Sequence, residues 1–278
     1  MRPAIIALTL FAALLHATWN AVLRSGVDRL WSVTVMSFAT TAAAIPLVLL
    51  LPLPQSDCWL YLGSSAVLQV AYSILLAYAY QHGELAQVYP VVRGSVPVLV
   101  TVGGFVLMGQ RPSHTALLGI ALISFGIASL AVGRLRTEAK SLALSVATAM
   151  VVACYVTADA IGVRLAGNPQ AYAAWIFLIY GVLLPAAFVL LRGAIAVDLR
   201  AAETRKALAG GILTLASYAA IITALALGTA GPIVALRETS IVFSAVLGRV
   251  VLGERLTRRR VLVCFAVALG AVCIGWTR

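Results

Sequence analysis

Residues 231–257 read GPIVALRETSIVFSAVLGRVVLGERLT, an apolar run that contains Arg237 and ends on a glycine followed by charged residues. A similar stretch lies 144 residues earlier, where residues 87–113 read QVYPVVRGSVPVLVTVGGFVLMGQRPS. Arg93 of the earlier stretch matches Arg237, and each stretch has a glycine and an arginine at its end. Such a match at a fixed distance predicts that the chain contains two copies of one unit.

A second match supports the repeat. His16 and Asn20 correspond to Tyr155 and Asp159 in a register of 139 residues. The alternative is that two hydrophobic halves resemble each other by composition alone, and the matched arginines and glycines argue against it.

The composition excludes a soluble protein. Hydrophobic residues make up 62% of the 278 residues and charged residues 10%, whereas soluble domains carry about 25% charged residues. So few charges cannot cover a water-facing surface, which excludes a soluble enzyme and a nucleic-acid-binding domain. The 20 Lys and Arg residues lie in short clusters between apolar runs, as in membrane proteins rather than proteins that bind a phosphate backbone.

Ten apolar runs predict an all-α membrane protein with ten transmembrane helices. A helix needs about 20 apolar residues to cross a hydrocarbon core of about 30 Å, and the runs are too long and uninterrupted for β-barrel strands. Gly119 and Gly126 in the fifth run are expected to mark a tight helix contact. The predicted spans are residues 4–23, 31–51, 59–80, 86–108, 114–132, 141–163, 171–191, 206–227, 231–252 and 259–276.

Five spans fall in each copy, which gives units at residues 4–132 and 141–276. An odd number of spans forces the second unit to enter the membrane upside down. Inverted repeats with a substrate site at their shared midplane interface are typical of secondary transporters.

The charges of the loops predict the orientation. The connections after spans 1, 3, 5, 7 and 9 carry thirteen Lys and Arg, against four on the opposite side. Cytoplasmic loops collect basic residues, so both termini are expected outside and the protein is expected in the cell membrane. Most of the excess lies in the second half of the chain.

The segment LLHATWNA at residues 14–21, with LRETS at 236–240 and LGERLT at 252–257, resembles the EamA family of the drug/metabolite transporter superfamily. The resemblance implies two inverted five-helix repeats, a central cavity lined mainly by spans 1, 3, 4, 6, 8 and 9, and transport of a small metabolite. The first repeat has Gln110 where the family pattern has an acidic residue, which favours a structural role for Glu254.

Charged residues inside the spans are the main candidates for a site, because one facing lipid costs about 2.5–3.5 kcal/mol on insertion scales. Arg93 and Arg237 occupy equivalent positions in the repeats and are expected to project into one cavity. A guanidinium matches a carboxylate or phosphate, so both are predicted to bind an anionic group of the substrate. Alternatively, Glu238 and Asp159 neutralise them as structural ion pairs.

Other polar and aromatic residues are predicted to complete the substrate site. His16 and Asn20 share one face of a helix beside Trp19, which would give a cavity wall hydrogen-bonding groups next to an aromatic ring. Tyr78 and Tyr155 are predicted to add amphipathic walls.

Glu238 and Asp159 are predicted to serve in proton coupling or in ion pairs. Either carboxylate could bind a proton in one conformation and release it in the other. His16 could do the same, although a histidine hydrogen-bonded within the bundle is the commoner case.

The sequence therefore predicts a secondary active transporter that moves a small, carboxylate-bearing, amino-acid-like metabolite by alternating access, with a proton as a candidate coupling ion. The alternatives are a flippase for an amphipathic lipid-linked substrate and a multidrug or cation exporter. The expected partners are the substrate, membrane lipid and protons, with both a monomer and a homodimer left open. No Gly-x-Ser-x-Gly or His-Glu-x-x-His motif occurs, so no enzyme, metal site or cofactor is expected.

Overall fold

The computed structural model describes residues 1–22, 28–82, 85–131, 139–251 and 256–276, and in these ranges the chain is helical with no β-strand. A short 3-10 helix at Ser56–Cys58 precedes the third helix. The α-helices are α1 Pro3–Val22, α2 Arg29–Leu50, α3 Trp59–His82, α4 Leu85–Met108, α5 His114–Ser129, α6 Ala139–Leu165, α7 Pro169–Arg192, α8 Ala202–Leu227, α9 Ala230–Arg237, α10 Ser240–Val251 and α11 Arg258–Gly275.

Eight stretches of the described chain are long and apolar enough to cross a membrane. They are Pro3–Asn20, Arg29–Leu50, Ser56–Gln81, Val88–Met108, Ala139–Leu165, Pro169–Arg192, Ala202–Leu227 and Ala230–Val250. The apolar helix α5 is shorter, at 16 residues, and α11 begins with three arginines. The helices begin and end within four residues of the ten predicted runs, but only eight of these runs meet the length and composition required of a span.

The outer surface of the bundle is apolar. Leu50 is 82% exposed and Leu190 is 87% exposed, and both belong to a large set of exposed aliphatic and aromatic side chains. A water-soluble protein rarely exposes large contiguous apolar patches. This surface fits lipid, and the chain is an integral membrane protein.

Polar caps fix where several helices begin. The side chain of Asp28 accepts a hydrogen bond from the Trp31 amide at the start of α2, and Ser113, Asn168 and Thr257 cap α5, α7 and α11 in the same way. A capping side chain satisfies an amide that has no partner within its helix. The cap at Asp28 makes Arg29 the first residue of α2.

The packing of the helices is symmetric when the two halves of the chain are exchanged. In the two halves, α1 corresponds to α6 and α3 corresponds to α8. The contact between α1 and α8 therefore has its counterpart in the contact between α6 and α3, and both are present. α2 packs against its own counterpart α7, and α5 packs against its counterpart α11. This exchange is the packing expected of two copies of one five-helix unit.

The α5–α11 contact is close because two glycines face each other. A Cβ atom added to Gly119 would lie 2.5 Å from the carbonyl oxygen of Gly270, and one added to Gly270 would lie 2.7 Å from that of Gly119. No side chain fits between the two backbones, which is how small residues bring membrane helices together.

The predicted span 231–252 is broken into two helices. α9 ends at Arg237 and α10 begins at Ser240. The amide of Glu238 donates to the carbonyl of Ala235 at 3.0 Å, and the amide of Ile241 donates to that of Glu238 at 3.0 Å. These three-residue hydrogen bonds tighten the backbone locally, so Glu238 lies at the junction between the two helices.

Candidate functional site

A cavity of about 130 Å³ lies between the two halves of the bundle. The six spans implied by the family resemblance all contribute to its lining, and α2 and α7 line it as well. The predicted residues in the lining are His16, Trp19, Arg93, Tyr155, Arg237 and Glu238. The structure thus brings residues from both predicted units to one cavity.

An ion pair across the two units lies at the wall of the cavity. Arg93 Nη1 on α4 donates to Glu238 Oε1, after α9, at a distance of 3.0 Å. Glu238 is 1% exposed, and its second carboxylate oxygen, Oε2, has no hydrogen-bond partner among the described residues. Arg93 also lies over the ring of Tyr89, with 5.5 Å from the guanidinium carbon to the ring centroid. The structure therefore has the ion-pair arrangement at Arg93 that was the alternative to direct substrate binding.

His16 lies between the two matched arginines. Its Nε2 atom contacts Arg93 Nη2, and its Nδ1 atom lies 3.3 Å from Arg237 Nη2. A neutral imidazole has one accepting nitrogen and one N–H group, so it can accept a hydrogen bond from only one of the two guanidinium groups. Arg237 Nε is also buried and has no partner within the described ranges of the chain. The centre of the site therefore has more donors than acceptors.

Aromatic side chains and Asn20 surround this centre. The rings of His16 and Trp19 are nearly perpendicular, with centroids 5.1 Å apart. Tyr155 faces Tyr72 at 6.0 Å between centroids, and both line the cavity. Asn20 Nδ2 donates to the His16 carbonyl oxygen at 2.8 Å, as expected for residues that share one helix face.

A third arginine, Arg29, also lines the cavity and was missed by sequence reasoning. Its Nη2 atom donates to Asn20 Oδ1 at 3.4 Å, and its guanidinium carbon lies 5.5 Å from the ring centroid of Tyr80. From the sequence alone, Arg29 is one of the basic residues assigned to the loop after the first span. The signal that could have found it is Asp28, because a cap at that position draws Arg29 into the helix.

Asp159 lies behind the wall of the cavity. It is 1% exposed, and it accepts hydrogen bonds from the hydroxyls of Tyr172, at 3.3 Å, and Tyr218. Tyr218 lines the cavity and also accepts a hydrogen bond from Gln69 Nε2 at 2.8 Å. Within the described part of the chain, Asp159 forms no ion pair with an arginine.

Two predicted positions lie elsewhere. Tyr78 on α3 is 45% exposed and does not belong to the lining of the cavity. Glu254, with the glycine and arginine beside it, lies outside the described residues. In the ranges that the structure describes, no group of three His, Cys, Asp or Glu side chains is arranged to hold a metal ion.

The model of the EamA-like transporter family matches the chain twice, over residues 3–132 and 139–276. The chain belongs to the EamA-like transporter family. The two matches cover nearly the whole sequence and correspond to a two-repeat molecule. Members of this family are membrane transporters, so the cavity between the repeats of this EamA-family chain is the place to look for its substrate.

Solved structures share the fold of this family member. One is described as the crystal structure of a protein, with 18% sequence identity and a TM-score of 0.78, and the match covers 98% of this chain and 96% of that one. At this identity the likeness is one of fold alone. No curated protein sequence matches the chain.

Proposed function

We propose that this transporter is a secondary active carrier that moves a small, carboxylate-bearing metabolite across the cell membrane by alternating access. In this proposal the chain crosses the membrane ten times, as inverted five-helix units at residues 4–132 and 141–276. The observation that carries the proposal is the charge of the cavity, whose described lining contains three arginines and one carboxylate.

Buried cationic groups without counter-charges are costly. A charge near the middle of the membrane costs several kcal/mol unless it is paired or hydrated. Glu238 is the one carboxylate in the described part of the lining, and it pairs with one of the three guanidinium groups, that of Arg93. A substrate carboxylate about 4 Å from a guanidinium gains about 4 kcal/mol at an effective dielectric constant of 20. The positive charge of the cavity lining therefore favours an anionic group, and the same charges disfavour the alternative of a cation exporter.

The position of the arginines suits alternating access. Arg93 belongs to the first unit and Arg237 to the second, and both contact the ring of His16. An anion bound between them would touch both units, so a relative movement of the units would alter its surroundings. A substrate site at the interface of inverted repeats is the arrangement found in secondary transporters.

We assign proton coupling to Asp159. A proton on Glu238 would break the ion pair with Arg93, whereas Asp159 is bonded to tyrosine hydroxyls and no arginine is paired with it in the described chain. Tyr218 connects the carboxylate to the cavity. We therefore assign the ion-pair role to Glu238 and the proton-carrier role to Asp159.

The proposal is tested with the full chain in lipid vesicles, with uptake measured for a panel of amino acids, organic acids, organic phosphates and cationic drugs. Arg237→Gln is the informative variant, because Arg237 is not ion-paired with a carboxylate of the described residues. We expect it to reduce uptake of the best anionic substrate at least tenfold. Arg111→Gln is the matched control, since Arg111 is exposed and lies outside the cavity. Equal uptake by both variants, or a preference of the unmodified protein for cations, would refute the proposal.

A further inference from the structure

We infer that the substrate is a dianion, with one anionic group at Arg93 and Arg237 and the other at Arg29. The inference rests on the proposed function and narrows its substrate class from carboxylate-bearing compounds in general to dicarboxylates or phosphomonoesters. A zwitterionic amino acid, which has no net charge, would not complement this site.

The first argument is the charge balance of the cavity. Arg29, Arg93 and Arg237 contribute three positive charges, and Glu238 is the one carboxylate in the described lining. Asp159 does not line the cavity, and its oxygens accept from tyrosine hydroxyls rather than from a guanidinium. Among the described residues, two positive charges of the cavity therefore remain without a counter-charge, and arginine stays charged at any physiological pH.

The second argument is the surplus of hydrogen-bond donors. Arg29 Nε, Arg237 Nε and Trp19 Nε1 are all buried, without an acceptor among the residues that the structure describes, and all three side chains line the cavity. Each guanidinium has five N–H groups and no acceptor, and a buried donor without a partner costs about 1–3 kcal/mol. A monocarboxylate bound at one end of the site cannot supply acceptors to all three side chains.

The third argument is the arrangement of the arginines in two adjoining places. A smaller cavity of about 20 Å³ adjoins the main one: Asn20 and Tyr80 line only the smaller cavity, whereas Arg29, Arg93, His16 and Trp19 line both. Arg29 is the first residue of α2. Arg93 lies eight residues after the start of α4, which is about 12 Å along the axis at 1.5 Å per residue. The positive charges of Arg29 and Arg93 therefore extend from the end of the bundle towards its interior. This spread matches a ligand that has anionic groups at two points.

Asn20 and Tyr80 complete the second place. Asn20 orients Arg29 by accepting its hydrogen bond, and the Asn20 Nδ2 group is already used on the His16 carbonyl. The hydroxyl of Tyr80 is buried and has no hydrogen-bond partner in the described part of the chain. Arg29 and Tyr80 thus present a cation and a hydroxyl donor to the same small space, and both fit a carboxylate or a phosphate oxygen.

The test compares matched pairs of probes on the purified full chain at pH 8. Succinate is compared with succinamate, its monoamide, and ethyl phosphate is compared with its methyl ester, so that each pair differs in one negative charge. The measurement is the concentration of each probe that half-saturates stabilisation against thermal unfolding. We expect at least one dianion to bind tenfold more tightly than its monoanionic partner, and the pair that shows the preference identifies the dicarboxylate or the phosphomonoester as the source.

Arg29 variants decide whether the preference arises at the proposed place. Arg29→Gln should reduce the ratio between dianion and monoanion to less than threefold, Arg29→Lys should keep part of it, and Arg111→Gln should leave it unchanged. Equal binding of monoanions and dianions overturns the inference and leaves the proposed function intact. Binding of neither probe class, with cations or neutral compounds bound instead, overturns both. An unchanged ratio in Arg29→Gln also overturns the inference.

Discussion

Glu238 and Arg93 depend on each other because each is the other's counter-charge in the described structure, where Glu238 is buried and the side chain of Arg93 is 16% exposed. Removing one partner of a buried ion pair costs about 3–5 kcal/mol, since the remaining charge loses its compensation. We expect Glu238→Gln and Arg93→Gln each to lower the thermal stability strongly. The double variant should lose less than the sum of the two single changes, and a double-mutant cycle measures the difference.

An exposed ion pair provides the control for this prediction. Arg192 pairs with Asp28 near the surface, where both side chains are accessible to solvent. Exposed pairs contribute about 0.2–1 kcal/mol, so Arg192→Gln should change stability much less than Arg93→Gln. Strictly additive losses at Arg93 and Glu238 would show that the two side chains do not form a coupled pair.

Asp159 is the residue that decides coupling. If it carries the transported proton, Asp159→Asn should abolish the stimulation of uptake by an imposed pH gradient, while exchange of substrate across the membrane without a gradient persists. The measurement is uptake and counterflow in the same vesicles. Glu203→Gln is the control, because Glu203 is exposed in the first turn of α8. Uptake in the unmodified protein that does not respond to the gradient would remove the proton-carrier role.

Single residues also show what the sequence can predict. The common placement of Arg93 and Arg237 could be predicted because the two repeats match at these positions. Arg29 could not, because a basic residue at the end of a membrane helix is ordinarily a topological charge. Tyr78 was predicted on composition alone, and only the rotation of α3 against its neighbours determines which of its tyrosines face the cavity.

At the scale of helices, the contact between α5 and α11 depends on the absence of side chains. Gly119→Ala places a methyl group against the backbone of Gly270 and should destabilise the protein by about 1–3 kcal/mol, the usual cost of overpacking. Gly63→Ala is the matched control, because nothing lies within 4 Å of a Cβ atom at that position on α3.

The control should move in the opposite direction. Replacing glycine by alanine inside a helix favours the helix by roughly 0.5–1 kcal/mol, so Gly63→Ala should raise the melting temperature while Gly119→Ala lowers it. Thermal unfolding in detergent measures both. A similar rise in both variants would mean that α5 and α11 are separable at this point.

The helices themselves could be predicted well, because ten apolar runs separated by polar turns define their ends. The break between α9 and α10 could not, since neither proline nor glycine stands at Glu238 or Thr239. The break depends on backbone hydrogen bonds that join residues three apart, instead of the four of an α-helix. The break determines the geometry of the site, because it places the Glu238 carboxylate at the junction directly after α9, the helix that ends with Arg237.

At the scale of the whole molecule, the proposed ten-span topology places three spans, α5, α6 and α7, between the loop that contains Arg111 and the loop that contains Arg200. An odd number of spans puts these two loops on opposite sides of the membrane. Arg111 lies between α4 and α5, and Arg200 lies between α7 and α8, and both are exposed. In a chain whose four cysteines are replaced by alanine, an impermeant maleimide should label Arg111→Cys in intact cells. It should label Arg200→Cys only after the membrane is opened.

The positions are chosen because the loop charges put Arg111 outside and Arg200 in the cytoplasm. Labelling of both variants from the same side would contradict the odd number of spans between the two loops. Exchange of the two sides would keep the inverted units and reverse only the orientation. The second copy was visible in the sequence from matched polar residues, whereas the pairing of α2 with α7 was not, because apolar faces carry no mark of their partner.

The ion pair between α4 and the junction of α9 and α10 joins the two units across the cavity. A motion that separates these helices has to break it, and in an empty carrier nothing replaces the lost contact. In the proposed mechanism, an anion that binds Arg93 would replace Glu238 as its counter-charge and so would make the same motion easier. The ion pair would then hold the substrate-free transporter in one conformation, and substrate binding would release it. Only the substrate-bound transporter would change conformation, which would prevent the gradient from being dissipated without transport.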